Sequence, residues 1–122
     1  MNNCYSLSLL NTIADEACRD AQRHGLWEPL EALNDGHDRH ACARLIRDEA
    51  EEAMLAATNR GHYAEELADV VIMALSASAY LGIDIAAEVG RKMAINRGRP
   101  WKHGKVCSGM AGKTAEEDQN QH

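Results

Sequence analysis

Residues 70–81 read VVIMALSASAYL, an apolar run without a single charge, entered directly from the acids of EELAD at 65–69. The run is shorter than the roughly 20 residues of a membrane helix, yet it is long enough for three helical turns. A helix that is apolar nearly all round has to be buried on most of its sides. A chain of 122 residues has room for one modest core. Such a helix therefore needs helical neighbours and is expected to bury its remaining surface in a subunit interface, where Ala and Ser permit close approach. The chain has no Phe and only 2 Pro, aromatics are 4%, and its 45% of apolar residues come mainly from Ala, Leu, Ile, Val and Met. That composition favours close-packed helices over sheets.

Three more helical stretches surround this one. The first runs from about Ser6 to His24, with Leu10, Ile13, Ala14, Ala17, Cys18 and Ala21 at three- and four-residue spacing. Ser6 is its expected N-cap and Gly25 its stop. Leu26–His40 contains Pro29, Asn34-Asp35 and Gly36 and reads mostly as loop. The second helix runs from about Arg39 to Thr58, with Ile46, Ala50, Ala53, Met54 and Ala57 on its apolar side, and Asn59-Arg60-Gly61 forms a turn. The third runs from about Tyr63 to Leu81. Gly82 ends it, and Asp84 caps a fourth that reaches about Arg97. Pro100 closes the ordered part, and the aperiodic tail from about Ser108 is expected to be disordered. The expectation is an all-α, antiparallel four-helix bundle assembled as a homo-oligomer.

Charge and cysteines narrow the function. With 13 Lys+Arg against 19 Asp+Glu, the net charge is -6, which argues against general nucleic-acid binding. The start, MNNCYSLSLLNT, has neither the basic region nor the long apolar region of a signal peptide. Cys4, Cys18, Cys42 and Cys107 are scattered without a CxxC pair and read as reduced thiols. A soluble, cytoplasmic protein is expected, with neither membrane nor nucleic acid as partner.

The acids of helices two and three carry the chemistry. Glu49 and Glu52 are three apart, as are Glu66 and Asp69, and residues three apart share a helix face. Both pairs are symmetric about residue 59, so a hairpin folded there sets Glu52 level with Glu66 and Glu49 level with Asp69, the inner pair roughly 10 Å from the bend. Four carboxylates without cations among them repel one another, and a hard divalent cation such as Mg²⁺ or Mn²⁺ relieves this with all-oxygen ligation. Asp69 enters the apolar run, where a carboxylate needs a partner. The competing reading is a solvated acidic face, which Asp48, Glu51 and Glu65 fit.

A basic segment follows. Between Arg91 and Lys113 there is no acid, while Arg91, Lys92, Arg97, Arg99, Lys102, Lys105 and Lys113 all fall there. Lys92 and Asn96 are four apart on the fourth helix, and Arg99 lies just beyond its end. An anionic substrate that also needs metal, such as a phosphate ester, fits this arrangement; cations favoured at a helix C-terminus are the plainer reading. His37 and His40 have no Cys partner for zinc. Trp27 and Trp101 read as packing residues; at a nucleotide site an aromatic is a surface for a base, which makes His24, Trp27 and His103 candidates.

HGLW at 24–27, LIRDEAEEAM at 45–54, EELADVVIMAL at 65–75 and GIDIAAEVGRKMAINRGRPWKHGK at 82–105 together resemble the MazG-like, all-α nucleoside triphosphate pyrophosphohydrolase family. The resemblance covers about residues 5 to 106, which places one domain at 1–106 and a tail at 107–122. It implies hydrolysis of an NTP or dNTP to monophosphate and pyrophosphate, by attack of a metal-activated water at the α-phosphorus. It further implies Mg²⁺, with Mn²⁺ as a possible substitute, held by Glu49, Glu52, Glu66 and Asp69. Lys92, Asn96 and Arg99 would hold the phosphates, with His103 and Trp27 as further substrate-binding candidates, in a homodimer or homotetramer. Two other functions fit parts of the pattern. A carboxylate bundle holding redox metal would use Glu-x-x-His pairs, whereas the third-position partners here are Glu52 and Asp69. A non-catalytic oligomerisation module would tolerate amides at all four acids.

Overall fold

The computed structural model describes residues 4–27, 35–102 and 105–106, with side chains at 6–27 and 39–100. Four helices carry most of them: α1 (Cys4–Arg23), α2 (Asp35–Leu55), α3 (Arg60–Tyr80) and α4 (Ile85–Arg97). Two short strands, β1 (Trp101–Lys102) and β2 (Lys105–Val106), pair antiparallel with Trp101 opposite Val106. The chain divides into two compact units, Met1–Ala87 and Glu88–His122. Among the described residues, no single helix is long and apolar enough to cross a membrane.

In the first unit, α1 and α2 both pack on α3. Each contributes a small buried residue to one cluster: Cys18 from α1, Cys42 from α2 and Ala77 from α3. Small residues leave room at the centre, and Trp27 fills it. Its side chain is fully buried, its indole stacks on Tyr80 at 4.6 Å and 10°, and its Nε1 donates to Ser76 Oγ at 3.1 Å. Ser78 Oγ donates to Ala74 O at 2.8 Å. Both buried serines of α3 are thereby satisfied, as buried hydroxyls must be.

The helix ends follow local chemistry. Gly25 takes φ 78° after α1, and Leu26 N–H donates back to Ala21 O at 3.0 Å. Asn59 caps α3, accepting from His62 N–H at 3.1 Å. Gly82, at φ 73°, follows α3. The start of α4 is capped twice. Asp84 Oδ1 accepts from Ala87 N–H at 3.0 Å, and Asn11 of α1 accepts from Ala86 N–H at 3.0 Å while donating to Asp84 Oδ1 at 2.9 Å. These hydrogen bonds hold the Asp84 carboxyl below its usual range, the Asn11 amide contributing most.

Several sequence expectations shift. α1 begins at Cys4, so Ser6 lies inside it and is not its cap. α2 begins at Asp35 and includes Gly36, where the sequence reads as loop. The cost of one helical Gly, about 1 kcal/mol, is offset by burial of Ala41 and Cys42 one turn later. α2 ends at Leu55 and α3 starts at Arg60, so the connection is residues 56–59, and Arg60 and Gly61 of the expected turn are already helical. The two-residue strands beyond Pro100 were not anticipated by the helical periodicity. Within a single chain, α3 is buried over only part of its length. Only Leu75 to Ser78 are buried, whereas Leu67, Val71 and Ile72 are 45%, 52% and 49% exposed. Residues 28–34 and the tail 107–122 lie outside the described residues.

In the second unit, α4 has no buried residue. Past its end, Gly98 N–H and Arg99 N–H donate to Ile95 O and Asn96 O at 3.0 and 3.1 Å.

Candidate metal centre

The short connection between α2 and α3 folds them into a hairpin, and their acids meet where the spacing predicts. Glu49, Glu52 and Glu66 each offer one carboxylate oxygen, and the three atoms lie within 4.8 Å of one another. Glu49 and Glu66 are half-buried; Glu52 is exposed.

Three anionic groups this close work against one another. Burial raises the Glu49 carboxyl above its ordinary range, and the charges of Glu52, Asp69, Glu66 and Asp48 add to it. Burial likewise raises Glu66, with Asp69 next in weight and His62 acting in the opposite direction. Among the described residues, no Lys or Arg pairs with Glu49, Glu52 or Glu66. Arg47 turns instead to Asp48 and Glu51, at 3.5 and 3.8 Å.

The two oxygens of Glu66 differ. Oε1 is buried and has no hydrogen-bond partner. Oε2 stands 3.9 Å from His62 Nε2. A buried acceptor without a donor costs about 1–3 kcal/mol, and hard oxygen donors gathered without a cation are what Mg²⁺ or Mn²⁺ takes. The donor set therefore fits a hard divalent cation. A cavity of about 230 Å³ opens beside it, lined by Glu52, Leu55, Ala56, His62 and Glu66.

Asp69 is not among the three residues whose oxygens all lie within 4.8 Å of one another. Its side chain is exposed, and it acts on Glu49 and Glu66 through its charge. Its charge weighs on Glu49 more than that of Glu66 does, and on Glu66 more than that of Glu52 does, so it belongs to the same acidic group.

The basic candidates lie in the second unit. Lys92 is exposed, Asn96 and Arg99 are half-buried, and Arg99 Nη1 donates to Asn96 Oδ1 at 3.3 Å. Arg91 pairs with Glu88 at 2.7 Å. His103 lies outside the described residues. Trp27 is corrected: it is a core residue, with one face on Tyr80 and its N–H on Ser76, and its buried indole offers no surface to a base. His24 is exposed and its Nδ1 lies 2.8 Å from Asp20 O at the end of α1.

One residue of the site was missed by reading the sequence. His62 lines the cavity one helical turn before Glu66, and its two ring nitrogens stand 3.8 Å from Glu65 and 3.9 Å from Glu66. The i,i+4 spacing to Glu66 is the feature that would have found it.

No family profile matches this chain, and no solved structure matches it significantly. Over 59 residues it is 41% identical to a dATP/dGTP diphosphohydrolase of cyanophage S-2L. The matched stretch is 48% of this chain and 53% of that protein, so the chain spans about half the length of the curated relative it matches.

Proposed function

We propose that this chain is a divalent-cation-dependent nucleoside triphosphate pyrophosphohydrolase of the MazG-like type, releasing pyrophosphate and a nucleoside monophosphate. One observation carries the reading: Glu49, Glu52 and Glu66 converge within 4.8 Å while a buried oxygen of Glu66 has no donor. The likeness to a dATP/dGTP diphosphohydrolase supports a nucleoside triphosphate as substrate, with purine deoxynucleotides the first to try.

Glu49, Glu52, Glu66 and Asp69 would hold Mg²⁺, or Mn²⁺ in its place. When bound, the cation neutralises phosphate oxygens and makes water a better nucleophile near neutral pH. A carboxylate of the cluster accepts the proton of the attacking water. The water oxygen bonds to the α-phosphorus, the bond from that phosphorus to the α,β-bridging oxygen breaks, and pyrophosphate leaves. Lys92 supplies a point charge to the phosphates, Arg99 a forked donor set and Asn96 an amide; His103 is a further donor.

A homodimer or homotetramer completes the proposal, with the helices arranged as an antiparallel four-helix bundle within a domain of residues 1–106 in the cytoplasm. Its support is the apolar surface a single chain leaves open: Leu67, Val71 and Ile72 on α3, with Met54 and Leu55 at the end of α2, 70% and 85% exposed. Exposed apolar side chains in this number suit burial against another subunit.

The test is pyrophosphate release from a panel of NTPs and dNTPs, led by dATP and dGTP, with Mg²⁺ and with chelator. Metal-dependent release with a monophosphate as co-product is the expected result. Orthophosphate release would overturn attack at the α-phosphorus, and silence across the panel from folded, Mg²⁺-binding protein would overturn the substrate class.

A further inference from the structure

Glu66 presents its two oxygens to different surroundings. Oε1 is buried without a partner, and Oε2 faces the imidazole of His62 at 3.9 Å. Rotation about the last bond of a Glu side chain is broad and roughly two-fold, so an unrestrained carboxylate samples many orientations. A donor on one oxygen fixes the plane and decides which oxygen points inward. His62 is suitably held for this. Its backbone N–H donates to the Asn59 cap at 3.1 Å in the first turn of α3, and its ring lines the same cavity as Glu52 and Glu66. The remaining gap is longer than a hydrogen bond, and a small ring rotation or one bridging water spans it.

We propose that His62 is a positioning residue for Glu66, its Nε2–H holding Oε2 so that Oε1 is presented to the cation. This rests on reading the carboxylate cluster as a cation site. The role needs only an N–H on Nε2, which the neutral imidazole carries in one tautomer and the imidazolium always carries. It is also distinct from an ordinary surface pair: i,i+4 contacts on a solvated helix add only a few tenths of a kcal/mol, while partners that orient metal ligands change metal affinity about 10- to 100-fold.

The test is Mn²⁺ binding to the full chain without nucleotide, read from the electron paramagnetic resonance signal of free Mn²⁺. His62→Leu removes the donor, and His62→Gln restores an N–H at comparable reach. The side chain of His62 is 56% exposed, so neither change threatens the fold, and melting in chelator checks that. Wild type and His62→Gln should bind alike, with His62→Leu at least about 10-fold weaker. Excess Mn²⁺ should then restore turnover to His62→Leu. Equal or tighter binding by His62→Leu overturns the inference alone, as does binding by His62→Gln as weak as that of His62→Leu. Absence of Mn²⁺ binding in the wild type overturns the cation-site reading and the inference with it.

Discussion

Replacing Glu49 by Gln should make the metal-free protein more stable and the metal-loaded protein relatively less so. The Glu49 carboxylate has oxygens of Glu52 and Glu66 within 4.8 Å. Even at the dielectric of water, each pair at that separation repels by at least about 0.9 kcal/mol. Gln keeps the size of the side chain and deletes the charge, which relieves about 2 kcal/mol before salt screening. At about 3–6 °C per kcal/mol for a domain of this size, the variant should melt several degrees above wild type in chelator at low salt. In 1 M salt, where the screening length falls to about 3 Å, the difference should shrink. Saturating Mg²⁺ reverses the order: a ligand at 100 times its Kd stabilises by about 2.7 kcal/mol, and the variant, short of one ligand, gains less. Calorimetric melting with chelator and with Mg²⁺ measures both. A Glu49→Gln protein that is less stable than wild type in chelator, or that gains as much from Mg²⁺, would refute the reasoning.

Trp27→Ala should cost about 3–5 kcal/mol in urea unfolding, because the indole is fully buried against Tyr80; Trp27→Phe keeps the stacking but leaves buried Ser76 without its donor, costing about 1–3 kcal/mol, and a loss below half a kcal/mol in the Ala variant would count against the packing described. Acid titration separates two kinds of carboxyl. The folded pKa of Asp84 is lowered, so its contribution is present above the ordinary value near 3.8 and is lost as pH falls through the folded value; Asn11→Ala should weaken that acid-sensitive component. Glu49 and Glu66 are raised, so in chelator their contribution has the opposite sign and stability rises as pH falls through their folded values toward the ordinary 4.5. Unfolding free energy measured between pH 7 and pH 4.5, with and without Mg²⁺, should show that rise only in chelator.

Features written in nearby residues were the legible ones. Three- and four-residue apolar spacing located the helices, and Gly25, Gly82 and Asp84 marked ends, because turn and cap chemistry acts over a few residues. The spacing of Glu49, Glu52 and Glu66 about residue 59 likewise predicted that they meet, since a hairpin with a four-residue connection has little freedom in register. What escaped depends on distant partners. Trp27 and Tyr80 stack across a long stretch of sequence, and nothing near Trp27 announces it. The start of α2 at Asp35 is decided by burial of Ala41 and Cys42, which overrides the local preference of Gly36. Apolar composition showed that α3 must hide its surface but not which part of it one chain hides.

The converging oxygens all belong to residues 49–66, eighteen consecutive positions interrupted by a single short connection. Closing so small a loop costs little chain entropy, and contacts of low sequence separation form early in folding. The mutual repulsion of Glu49, Glu52 and Glu66 therefore opposes a step near the beginning of folding, long before Trp27 finds its place against Tyr80. A cation that relieves it acts on the barrier to folding more than on the barrier to unfolding: in a stopped-flow chevron, Mg²⁺ should raise the folding arm and leave the unfolding arm nearly in place.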